Sequence, residues 1–62
     1  MVKAVVYKMD NHPYGFRYNC QKWVSNDGAD WRYCGSGRFC NTWDEVLAYC
    51  EKDGITDIRE AL

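Results

Sequence analysis

One stretch of this chain carries signals for a helix at both of its ends, and the rest must be fitted around it. Thr42-Trp43-Asp44-Glu45 has the S/T-x-x-E spacing of a capping box. In that arrangement the Thr hydroxyl and the Glu carboxylate each accept from a backbone N–H that the first turn leaves unpaired. Trp43, Val46, Leu47 and Cys50 recur at i, i+3, i+4 and i+7 as one apolar stripe, with Asp44, Glu45, Glu51 and Lys52 elsewhere on the circumference. Gly54 then offers a left-handed stop, and Ile55 stands where the accompanying hydrophobic contact is made. The spacing predicts an amphipathic helix over Trp43–Asp53 that lays its stripe on a layer built from the residues before it.

Those residues alternate as strands do. Val2–Met9 places Val2, Ala4 and Val6 on one face and Lys3, Val5 and Tyr7 on the other. Asp10 to Gly15 is turn chemistry. Gly15–Val24 alternates again, with Phe16, Tyr18 and Cys20 on one side, and Ser25-Asn26-Asp27-Gly28 supplies a hairpin turn. Asp30–Cys34 reads as a third strand in which Trp31 and Tyr33 share a face. Gly35-Ser36-Gly37 reads as a second turn and Arg38–Cys40 as a short return strand. After the helix, Ile55–Arg59 fits a short strand better than a terminal helical turn capped by Asp57. The expectation is a single α+β domain over residues 1–62. Its antiparallel sheet of three to four strands carries one helix on one face, in the order β-β-β-α with room for a last short β.

A chain of 62 residues buries only about 60% of the surface its unfolded form exposes, so large side chains are expected to compensate. Three Trp, five Tyr and two Phe are the candidates for that core. The apolar run in Met1–Lys8 is too brief for a signal peptide or a membrane span, which predicts a cytosolic protein with reduced thiols. Cys20 and Cys50 fall on the apolar faces of their elements and read as small core residues. Cys34 and Cys40 flank the Gly-rich turn and would be the pair to join on oxidation.

The motifs for chemistry are weak. The four cysteines are separated by 13, 5 and 9 residues, without the C-x₂-C knuckle that presents two thiolates to zinc. His12 lies in an Asn-His-Pro turn, with nothing to fix its distance to a thiol. Gly35-Ser36-Gly37 lacks the Lys-Ser/Thr and the following helix of a phosphate loop. Neither catalysis nor a cofactor or metal is expected.

Charge is the more informative property. The net charge of −1 divides into +3 over residues 1–40 and −4 over residues 41–62. Trp23, Trp31, Tyr14, Tyr18 and Tyr33 interleave with Arg17, Lys22, Arg32 and Arg38, the composition of a stacking platform for single-stranded nucleic acid. Against that reading, the core is expected to claim the rings, and the net charge is negative. Asp44, Glu45, Glu51, Asp53, Asp57 and Glu60 form an acidic end, suited to a partner with a basic groove made for phosphates.

In size, aromatic richness and strand-strand-strand-helix order, the chain resembles the very small proteins that bacteriophages use against host defence, anti-CRISPR proteins in particular. The resemblance has no signature motif and carries over no functional residue. It implies a stoichiometric inhibitor that acts as a DNA mimic in the host bacterial cytoplasm. Such an inhibitor binds a subunit of a type I interference complex and blocks its engagement of target DNA, with the acidic helix as the contact surface.

Overall fold

The computed structural model describes residues 1–61, with the side chain at position 36 outside that description. The β-branched run at the start forms β1 (Val2–Lys8), which lies inside the sheet. β2 (Tyr18–Val24) pairs with it antiparallel, Val2 opposite Val24 and Val6 opposite Cys20. β3 (Arg32–Cys40) pairs antiparallel with β2 on its far side. The helix α1 (Trp43–Lys52) follows, and β4 (Ile58–Ala61) closes the sheet beside β1, giving the order β3-β2-β1-β4.

The fold is α+β as expected, but three features of the sheet differ. β4 runs parallel to β1, so the sheet is mixed and not antiparallel. The reason is directional. Two antiparallel steps bring β3 back to the sense of β1, and α1 returns the chain so that the next strand repeats that sense. Second, Gly35–Gly37 is no turn: β3 runs through it. Its pairing with β2 breaks between Gln21↔Gly37 and Trp23↔Tyr33, leaving Cys34 to Ser36 opposite Lys22 alone. This is a bulge, and the Cys34 thiol donates to the Lys22 carbonyl oxygen at 3.2 Å, supplying a partner inside the irregularity. Third, the last strand starts at Ile58 instead of Ile55, because Ile55 is used to end the helix.

Both helix ends form as their residues dictate. The Thr42 hydroxyl accepts from Glu45 N at 3.2 Å, and the Glu45 carboxylate accepts from Asn41 N at 3.1 Å. Gly54 takes φ +70°, Gly54 N donates to Glu51 O, and Ile55 N donates to Cys50 O at 2.8 Å. That is the Schellman pattern, and it turns Ile55 into the core. Of the expected stripe, Val46 and Cys50 are buried and Trp43 is half-buried, but Leu47 is exposed and Tyr49 packs in its place.

The core lies between α1 and one sheet face. It consists of Ala4, Val6, Cys20, Cys40, Val46, Cys50 and Ile55. The expectation that aromatic rings fill it is therefore wrong: the fully buried set is small and aliphatic or thiol-bearing, and Tyr18, Trp43 and Tyr49 pack at its margin.

Candidate functional site

Register divides the sheet into two faces. Val2, Ala4 and Val6 face the helix together with Tyr18, Cys20, Lys22 and Val24, and with Arg32, Arg38, Cys40, Ile58 and Glu60. The other face has no helix over it. It carries Lys3, Val5 and Tyr7 from β1, Asn19, Gln21 and Trp23 from β2, Tyr33, Gly37 and Phe39 from β3, and Arg59 and Ala61 from β4. The strands contain one carboxylate, Glu60, and the register assigns it to the helix side. The strand residues of the open face thus have aromatic rings, amides and two cations, without an acid.

The rings form two groups. Trp23 and Tyr33 stand opposite each other with centroids 5.7 Å apart, and Lys3 Nζ lies 4.2 Å from the Trp31 ring centroid beside them. At the other end Phe16 stacks on Phe39 at 5.6 Å, with His12 against both. Phe16 was expected beside Tyr18 and Cys20 on the core face; its stacking on Phe39 places it with the open face instead. Tyr7 is 38% exposed, and Tyr33 and Phe39 are each 46% exposed.

Between the two groups lies a shallow depression of about 240 Å³ lined by Asn19, Tyr33, Gly35, Gly37, Arg38 and Phe39. Gly37 keeps it open. The Tyr33 hydroxyl leans toward this glycine, 3.4 Å from where a Cβ would stand. The local geometry is set by the bulge, which separates Tyr33 from Phe39 along β3 while both remain on one face.

This arrangement alters the platform read from the sequence. Trp23, Trp31 and Tyr33 belong to it, but Tyr18 packs edge-on against Trp43 at 5.7 Å on the helix side. Lys22, Arg32 and Arg38 register to the helix side, although Arg38 also borders the depression, and the cations that register to the open face are Lys3 and Arg59. Sequence reasoning missed Tyr7, Phe16, Phe39 and His12. Alternation marked Tyr7 as facing away from Val6, but nothing local identified the uncovered face.

The six acidic residues divide into two sets. Asp44, Glu45, Glu51 and Asp53 are exposed on or at the end of α1. Glu45 is engaged in the cap. Asp57 and Glu60 belong to the β4 edge, where Asp57 Oδ1 receives Arg59 Nε at 3.1 Å and Glu60 lies with Lys8 around a separate depression. α1 packs toward β2 and β3, whereas β4 lies at the opposite edge of the sheet beyond β1.

Four other side chains have perturbed acidities. Burial pushes the Cys20 thiol up to about 12, with further contributions from neighbouring Cys50 and Cys40. Burial likewise raises the Cys40 and Cys50 thiols. In the β2–β3 loop, Asp27 accepts from Asp30 N, Ala29 N and the Ser25 hydroxyl, bonds that lower its carboxyl below the ordinary range. Cys34 is exposed and Cys40 is buried, both as free thiols, so the pair read as able to join on oxidation is unjoined. Among the described residues no helix is long and apolar enough to cross a membrane.

No protein-family model matches the chain, and neither a curated protein nor a solved structure matches it.

Proposed function

We propose that the chain is a non-catalytic binding domain whose open sheet face takes single-stranded nucleic acid. The observation that carries this reading is an uncovered sheet face with partly exposed rings and no carboxylate among its strand residues. Bases stack on Tyr33 and Phe39 across the Gly37 depression, while Lys3 meets phosphate and Arg59 does so by exchanging its exposed pairing with Asp57. The two objections raised by the sequence weaken accordingly. The rings are not consumed by the core, and the negative net charge arises largely from α1 and the β4 edge.

The test is a titration of a labelled oligonucleotide, single- or double-stranded, against the chain at low and at physiological salt. Tyr33→Ala and Phe39→Ala are each expected to weaken single-strand binding about tenfold, within the roughly 1–3 kcal/mol that one stacked base is worth. Lys3→Ala is expected to reduce the salt slope. Absence of single-strand binding at low salt defeats the proposal.

A second reading rests on a different observation. Asp44 and Glu51 are exposed on α1 and Asp53 at its C-cap, and among the described residues none of them forms an ion pair. They would suit a protein partner with a basic nucleic-acid groove, and the anti-CRISPR resemblance would make that partner a subunit of a type I interference complex. Reversing Asp44 and Glu51 to Lys tests it while sparing Glu45, whose loss would damage the cap. Unchanged inhibition of such a complex by the reversed variant would remove the helix from consideration.

A further inference from the structure

Cys20 on β2 and Cys50 on α1 are both fully buried, and their sulfur atoms lie 3.9 Å apart across the contact between sheet and helix. The third core thiol, Cys40, has no comparable sulfur contact, and Cys34 is on the surface with its thiol directed to Lys22 O. From this placement we infer that Cys20 and Cys50 are a disulfide-forming pair, a covalent modification site that fastens α1 to the sheet when the protein meets a small two-electron oxidant such as hydrogen peroxide. A disulfide requires the sulfurs to close by roughly 2 Å. The two side chains already face each other across one layer boundary, and the loop to be closed spans most of β2, all of β3 and most of α1.

The chemistry balances with peroxide alone. One sulfur takes an oxygen from peroxide as its O–O bond breaks, giving a sulfenic acid and releasing hydroxide. The second sulfur then attacks the first, the S–S bond forms and the S–O bond breaks. The two thiol protons meet the two hydroxides, so two thiols and one peroxide become one disulfide and two waters. Burial keeps both groups in the thiol form at neutral pH, which makes the reaction slow and leaves the exposed Cys34 to react first. The inference depends on the core and is independent of what the open face binds.

The full chain carrying Cys34→Ser should be treated with peroxide, unfolded in an alkylating reagent and digested without reductant. The expected result is an intact mass lower by two hydrogen atoms, a peptide containing Cys20 joined to one containing Cys50, and alkylated Cys40. Oxidation should also raise the thermal midpoint by on the order of 10 °C, reversibly with dithiothreitol. A link through Cys40, oxygen addition in place of a link, or unlinked Cys20 and Cys50 after a dose that oxidises the unfolded chain would each overturn the assignment. Adding Cys50→Ala is expected to abolish the midpoint shift. Should that variant not fold, the peptide map still decides.

Discussion

Gly37 has no room for a side chain. A Cβ there would stand 2.9 Å from the backbone oxygen of Cys20, so the strands would have to part to admit it. Gly37→Ala is expected to destabilise the fold by about 1–3 kcal/mol, measured by urea unfolding followed by circular dichroism. The buried thiols give a second residue-level prediction. Cys20 has its proton affinity raised in the folded state, from 9.0 to about 12. The folded chain therefore holds protons that the unfolded chain releases, and this contribution is complete below pH 9 and lost as pH rises toward 12. Stability should decline above about pH 9, and Cys20→Ala should flatten that decline. An alkaline limb of the same slope in the variant would assign the loss to other groups. Asp27 works in the opposite direction: the hydrogen bonds that hold its carboxyl below the ordinary range stabilise the fold above that range, and the contribution disappears as the solution becomes strongly acidic. Asp27→Asn should remove that part of the acid decline.

At the scale of elements, α1 was the most legible part of the chain because its start and stop are local chemistry. Thr42, Glu45 and Gly54 act through bonds to neighbours a few residues away, which sequence spacing displays directly. The inward side of the helix was less legible. A stripe wide enough to hold Trp43, Val46, Leu47 and Cys50 can be rotated by a fraction of a turn, and the sheet selected the orientation that packs Tyr49 at the core margin and exposes Leu47. Leu47→Lys is accordingly expected to change stability by no more than about 0.5 kcal/mol, whereas Val46→Ala should cost about 2 kcal/mol. Equal losses at the two positions, read from urea midpoints, would contradict this orientation. The bulge was misread for a similar reason. Gly-x-Gly looks like a turn when only local freedom is considered, and pairing with β2 on both sides of it made it part of a strand.

For the molecule as a whole, the longest-range pairing joins β1 to β4, with Ala4 opposite Ile58 at the other end of the chain. No local signal specifies that neighbour. Its direction depends on the path of the chain through α1, which is why the sequence reading expected an antiparallel sheet where β4 makes it mixed. Folding should follow the same hierarchy, since contacts between distant residues form at the greatest entropic expense. Ile58→Val should speed unfolding and leave the folding rate nearly unchanged, giving a φ-value near zero in denaturant-jump kinetics. The candidate site had a comparable history. Alternation sorted Val2, Ala4 and Val6 from Lys3, Val5 and Tyr7, but only the placement of α1 determined which set stayed uncovered. The charge asymmetry was read correctly along the chain; in space, the acids divide between α1 and the β4 edge while the open-face strands carry none.

The small core has a spectroscopic consequence. Because no tryptophan belongs to the fully buried set, the three indoles sit at boundaries with different neighbours. Trp43 abuts Tyr18 beneath the helix, while Trp23 and Trp31 stand beside Tyr33 and Lys3 on the opposite side of the sheet. Intrinsic emission should therefore separate into two signals: Trp43 follows melting of the helix–sheet contact, and Trp23 with Trp31 follows occupancy of the uncovered surface. With Trp43→Phe as background, quenching by an added oligonucleotide would be a label-free record of docking in an otherwise intact molecule.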